Sequence, residues 1–314
     1  ENEQENTFFS LKADYEMDIG TLTLIGAYDD LEEYLLSDGT SGAFGVYSSV
    51  PGNAAYDQCV ATFNAIGIDG YADLLQPPFG AFPDGGPPNL GNSFLPPYSA
   101  DSCDGYQYQE RNQESTSFEA RLASNSEGRI RWMGGVYYAH IEREVIVGYG
   151  ADLGLGFEKQ AYIPPSGRNP TDQLFWDDFE TDVYSVFGQI EMDVFARGEL
   201  ALAARYDEED REVSNNVPNV LSVNNYGGGL PINPAYNNAD TIPDRDETFD
   251  EFQPKITYTQ GLTDDINVYA SYGRGFRSGG FNSIGSEDTI QNAFGTFPTA
   301  PQNLTDDYDK EVTD

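Results

Sequence analysis

From Phe9 onward the chain alternates. Phe9, Leu11, Ala13, Tyr15 and Met17 are apolar, and Ser10, Lys12, Asp14, Glu16 and Asp18 between them are polar. A tight turn at Asp18-Ile19-Gly20 follows, after which Leu22, Leu24, Gly26 and Tyr28 share a face. A two-residue period over this length predicts strands with one apolar face, and two such strands joined by a tight turn predict a hairpin. The plan recurs. Phe118, Ala120 and Leu122 lead through "SNSEG" to Trp132, Gly134, Val136 and Tyr138. Val183–Asp193 turns at Ala196-Arg197-Gly198 into Leu200, Leu202, Ala204 and Tyr206. Phe252, Pro254, Ile256 and Tyr258 then lead through "QGLTDD" to 267–276. The pattern predicts about eight strands in four hairpins, at roughly 7–30, 114–141, 182–209 and 249–276. Helical periodicity is nearly absent.

The connections alternate in length. Within hairpins they take a few residues; after each hairpin they run over about 31–113, 142–181, 207–248 and 277–310. Loops beyond ~12–15 residues are uncommon in compact domains. Short turns on one rim and long loops on the other are the plan of an all-β, antiparallel, up-and-down transmembrane barrel. The apolar face admits two partners: a second sheet, as in a soluble sandwich that binds or hydrolyses glycans, or lipid. Tyr28, Tyr138, Tyr206 and Phe276 near strand ends suit an interfacial girdle, and they equally suit a sheet edge.

Composition narrows this. Acidic residues number 53 and basic ones 16, a formal net charge of -37. That excludes a nucleic-acid footprint, which needs basic residues. No segment approaches the ~20 apolar residues of a transmembrane helix, whereas a barrel strand needs only ~9–11 with every second one apolar. The first residue is Glu1 and no signal peptide is visible, so a processed protein or a piece of a longer one is expected. Cys59 and Cys103 lie in one Gly/Pro-rich region and are expected to form a disulfide in an oxidising compartment.

Candidate chemistry is sparse. With a single histidine, His140, neither a Cys/His metal site nor a Ser/His/Asp arrangement can be assembled, and no catalytic residue, metal site or cofactor is expected. His140 reads as a surface residue. Acidic runs at Asp29-Asp30, Asp177-Asp178, Asp207–Asp210 and Asp244–Glu247 match no calcium-loop pattern, though loop-bound calcium is one use for them. Their other use is solvated charge that holds the divalent ions bridging lipopolysaccharide. Phe175 and Trp176, in "LFWDDF", offer an aromatic contact for a sugar or aryl ligand.

"INVYASYGRGFRSGGFN", Ile266 to Asn282, resembles the signature strand of TonB-dependent outer-membrane receptors. "EARLASNSEGRIRWMGGVYY", "YSVFGQIEMDV" and "LALAARYDEEDRE" agree with that family in order, and "NLTDDYDKEVTD" resembles the lead-in to a further strand. The resemblance implies about eight strands of a larger barrel, usually 22-stranded, in a Gram-negative outer membrane. It also implies a plug and a periplasmic TonB partner, neither visible in this sequence, and active uptake of a scarce bulky solute such as an iron-siderophore, haem, cobalamin or glycan. A passive scaffold barrel is the alternative. Arg274 and Arg277 would stand at the extracellular rim, paired with carboxylates or headgroup phosphates, or else holding an anionic ligand.

Overall fold

The computed structural model describes residues 2–38, 105–125, 128–151, 156–221, 231–233, 242–282 and 305–314. Eight long antiparallel strands dominate: β1 (Asn2–Met17), β2 (Gly20–Asp38), β3 (Gly105–Ser124), β4 (Ile130–Ala151), β5 (Thr171–Phe195), β6 (Gly198–Asn215), β7 (Arg245–Gly261) and β8 (Asn267–Gly273). They form one sheet in chain order, with β1 and β8 at its edges. The turns are tight because each has a residue that tolerates the geometry. Arg197 takes φ 62 between β5 and β6. Gly20 opens β2 where any Cβ would collide with the Ala123 carbonyl.

The alternation holds across the sheet. Ala13 faces Leu24, Leu24 faces Ala120, Ala120 faces Val136 and Val136 faces Val186. Ile190 faces Leu202, and Leu202 faces Ile256. These residues make one continuous apolar band. It is open: Leu11 is 64% exposed, Val186 55% and Phe252 54%. Among the described residues no second sheet covers it. We call this face outer and the opposite one inner.

An aromatic border ends the band at Tyr28, Phe118, Tyr138, Tyr184, Tyr206 and Phe252. It steps by two residues between β2 and β3 and again, in the same direction, between β5 and β6, as tilted strands require. Tyr138 and Tyr184 rings lie 5.2 Å apart. The Tyr138 hydroxyl donates to Asp182 at 2.7 Å, and Tyr206 to Asp250 at 3.4 Å. Rings in the band with hydroxyls on carboxylates above it mark a boundary between apolar and wet surroundings. Below Tyr138 the band on β4 spans Ile130–Tyr138, the length a barrel strand needs to cross a membrane.

The strands run well past the ends the sequence pattern predicted. Much of the expected loops 31–113, 142–181 and 207–248 is paired strand: 31–38, 105–113, 142–151, 171–181 and 207–215 all belong to the ladder. Above the aromatic border both faces are polar, so the apolar alternation fades while backbone pairing continues. At ~3.3 Å per residue the part of β5 above Tyr184 rises roughly 40 Å. The buried core lies at this upper end, on the outer face. There Tyr34, Tyr106, Tyr108, Ile146 and Leu174 pack against Val217 and Ile232 from the connection after β6. The Leu174 amide donates to the Ile232 carbonyl at 3.0 Å.

After β8 the chain continues through β9 (Gly275–Arg277) and β10 (Gly280–Phe281). These pair with β12 (Glu311–Thr313) and β11 (Asp307–Tyr308) in a single register, Arg277 opposite Glu311 and Gly280 opposite Tyr308. The expected further strand is therefore present. Gly279 lets it approach, since a Cβ there would lie 2.5 Å from the Phe249 ring. Cys59 and Cys103 lie outside the described residues.

Candidate functional site

Above the aromatic border the two faces carry different chemistry. On the outer face Asp30, Glu114, Glu142, Glu180, Glu212 and Asp246 stand side by side in one rung of six strands. They line a groove of about 630 Å³ below the loop-covered core. The next rung belongs to the inner face and reads Leu31, Gln113, Arg143, Phe179, Val213 and Arg245. It contains no acid and two arginines.

The lower inner face is a wall of matched charges. Arg131 meets Glu191 and Asp193 at 3.2 Å and Glu199 at 2.5 Å. Arg205 holds Asp207 at 2.7 Å and donates to Ser185 at 2.8 Å, and Gln253 also donates to Asp207. Higher up the matching is incomplete: Arg245 meets Asp306 at 3.9 Å and Asp307 at 3.5 Å, but Arg143 is placed differently. The Arg143 guanidinium stacks 4.6 Å over the Phe179 ring, and no ion pair engages it among the described residues. Arg211 meets Glu209 at 2.8 Å and donates to Ser278 at 2.6 Å. Arg143, Phe179, Arg211, Phe281 and Tyr308 line a pocket of about 310 Å³ together with Thr181 and Glu209. Two guanidiniums among aromatic rings can hold a flat or anionic group by stacking and charge-assisted hydrogen bonds.

The residues singled out from sequence do not converge. Phe175 and Trp176 are neighbours on β5 and therefore point to opposite faces. Phe175 faces inward, opposite Val147. Trp176 packs on the outer core and donates from Nε1 to Glu144 at 2.9 Å. Arg274 is engaged by Asp314 at 2.8 Å and Glu251 at 3.6 Å, a structural pairing. Arg277 is exposed, opposite Glu311 in the ladder. The acidic runs split in the same way: Asp177 is buried inward and opposite Asn215, while Asp178 faces outward and accepts from Asn216 at 2.6 Å. Consecutive acids on one strand cannot share an ion from one side.

The sequence reading missed Arg143, Phe179, Arg211, Phe281 and Tyr308. A signal existed in "IEREV", where an inward arginine alternates with outward glutamates. It also missed the surroundings of His140. That ring lies on the outer face between Asp182 at 3.1 Å and Glu142 at 3.3 Å. The Asp182 hydrogen bond above all raises the imidazole's pKa. Eight residues further up the ladder, opposite Gly148, burial and the Glu110 carboxylate push the Tyr108 phenol up.

A family model described as TonB dependent receptor-like, beta-barrel, matches residues 2–309. No curated protein matches the chain. Among solved structures, the ferric yersiniabactin uptake receptor FyuA from Yersinia pestis aligns with a TM-score of 0.55 at 10% identity, over 99% of this chain and 32% of that one. The copper transporter OprC aligns at 0.44 and 12% identity, over 88% and 31%. The ferric citrate transporter FecA aligns at 0.34 and 13%, over 87% and 36%. The chain spans about a third of the length of these proteins. The first alignment shows a shared fold.

Proposed function

Because the chain belongs to the TonB-dependent receptor-like β-barrel family, we propose that it supplies part of the barrel wall of a Gram-negative outer-membrane receptor. In this reading the apolar band meets lipid and the acidic outer wall meets lipopolysaccharide. The long connections are extracellular, Cys59 and Cys103 pair within the first of them, and the inner face lines the lumen. The receptor imports a scarce, bulky solute, energised by a periplasmic TonB protein acting through a plug, and does no covalent chemistry. The observation that carries it is the inner pocket at Arg143. In a chain of net charge -37, an arginine that no ion pair engages among the described residues, stacked on an aromatic ring of the inner face, is available to a ligand. The solute is read as anionic with planar groups, such as an aryl or carboxylate iron chelate. Arg277 and Phe175, also on the route inward, make secondary contacts.

The test is uptake in the native host. Under iron limitation, cells deleted for the full-length gene are supplied with single purified ferric chelates. Transport of at least one should disappear, reappear with the wild-type gene, and need the TonB protein. If all tested chelates, haem, cobalamin and oligosaccharides still enter while surface architecture fails, the protein is a scaffold barrel instead.

A further inference from the structure

His140 and Asp182 are 42 positions apart in sequence and direct partners in the β4–β5 ladder. Glu142 and Glu180 are partners two residues further up on the same face. Nδ1 of His140 lies 3.1 Å from Asp182 Oδ1 and 3.9 Å from Glu180 Oε1. Nε2 lies 3.3 Å from Glu142 Oε1. Both ring nitrogens thus have carboxylates within reach, and a metal ion that takes the place of the Nδ1 proton would leave Nε2–H donated to Glu142. A carboxylate behind an imidazole in this way is how metal-bound histidines are oriented.

The three ligand atoms lie within 4.8 Å of one another. Zinc bonds of ~2.0–2.2 Å in a tetrahedral arrangement place ligand atoms about 3.4 Å apart, and the two observed separations, 3.1 and 3.9 Å, bracket that value. One imidazole with two carboxylates is a donor set for a first-row divalent transition ion rather than for calcium, which takes oxygen alone. The ladder holds the ligands on two adjacent strands, so little ordering accompanies binding. Neighbouring strands add Glu114, Asp210 and Glu212 in the same and adjoining rungs, a field that gathers cations.

We propose that His140, Glu180 and Asp182 form a zinc-type metal site on the outer wall, just above the aromatic border, with Glu142 as the positioning carboxylate. Three protein ligands leave a fourth position facing outward, for water or a headgroup phosphate oxygen. The site clamps β4 to β5 at the level where the band ends. It is independent of the inner pocket and of what that pocket transports.

The experiment uses the full-length receptor in detergent, stripped of metal and titrated with zinc chloride by calorimetry in excess calcium. Wild type should bind one more equivalent than His140→Ala. Glu180→Gln should weaken that equivalent by tenfold or more, and Glu142→Gln by roughly tenfold, as outer partners of metal ligands do. Cobalt should give a visible spectrum that the His140→Ala protein lacks. The heat-modifiable electrophoretic shift of each variant reports folding, and Glu180→Gln, isosteric and on an exposed position, serves if the alanine variant misfolds. Equal zinc stoichiometry in wild type and His140→Ala, or equal zinc affinity in wild type and Glu180→Gln, overturns the proposal, leaving a histidine simply paired with acids. Full displacement by calcium overturns it too, since a diffuse carboxylate layer then accounts for binding.

Discussion

Two neighbouring rungs of the same six strands differ in almost everything but backbone. One carries Asp30, Glu114, Glu142, Glu180, Glu212 and Asp246 on the outer face; the next carries Leu31, Gln113, Arg143, Phe179, Val213 and Arg245 on the inner face. Like charges directly opposite in a ladder destabilise it, and the outer rung stacks them across every strand pair from β2 to β7. The cost is tolerable where water or cations screen the charges. The inner rung itself holds no acid, and of its two arginines only Arg245 is ion-paired among the described residues, to Asp306 and Asp307. The difference teaches that above the aromatic border the sheet presents two chemically distinct surfaces. The period of two residues assigns each side chain to one of them.

That assignment can be broken outright. Deleting Ala139 from β4 would move every residue above it to the opposite face, since a one-residue slip inverts the pattern. Glu142, Glu144 and His140 would then turn inward. We expect loss of assembled receptor, seen as disappearance of the folded, heat-modifiable band in outer-membrane fractions.

A charge in the apolar band tests the outer face where lipid, not water, is the neighbour. Ile190 is 45% exposed between Trp132 and Leu202. Ile190→Arg should destabilise the barrel by about 2–4 kcal/mol, measured by reversible unfolding in lipid vesicles. Glu180→Arg, on the same strand and the same face but above the border, should change stability far less. Equal losses would mean that the border is misplaced.

The inner wall is tested by reversal. Arg143→Glu should lower uptake of the transported chelate about tenfold or more, equivalent to ~1.4 kcal/mol of lost binding. Glu142→Arg, one residue away and facing outward, should leave initial uptake rates near wild type. Competition binding on whole cells separates affinity from transport. Matching losses in both variants would erase the distinction between the faces.

The smallest effect concerns the like-charge rung. In metal-stripped protein, Glu142→Gln with Glu212→Gln should raise the unfolding midpoint slightly at low salt. The gain should vanish near 1 M salt, where the screening length is ~3 Å. An increase that persists at high salt would point to packing rather than charge.

Much of the barrel was legible because its lower half obeys a strict rule. Leu22, Leu24, Val136, Ile190 and Leu202 must be apolar to meet lipid, and their partners Thr21, Arg131 and Glu191 are free to be polar. The hairpins and their turns could be read from that contrast, whereas the further strand beginning near Asp307 was expected only from the resemblance of 303–314 to the family. The upper strands hid themselves because it ends there. Glu142, Arg143 and Glu144 are all polar, and pairing of backbone groups leaves no mark on side-chain hydropathy. The pair Phe175 and Trp176 looked like one aromatic contact and is two, on opposite faces, since consecutive strand residues diverge.

Sequence alone determined the strand pattern, the all-β class and the apolar face, from local period, a property of neighbours along the chain. The motif stretches, 266–282 foremost, carried the family resemblance and with it the expectation that this face meets lipid. Register decided the rest. Only the ladder sets Asp182 and Glu180 beside His140 and aligns six acids in one rung. Only the ladder stacks Arg143 over Phe179, where no ion pair engages it among the described residues. These juxtapositions join residues tens of positions apart, and their geometry arises from hydrogen bonding between strands, which no single stretch of sequence contains.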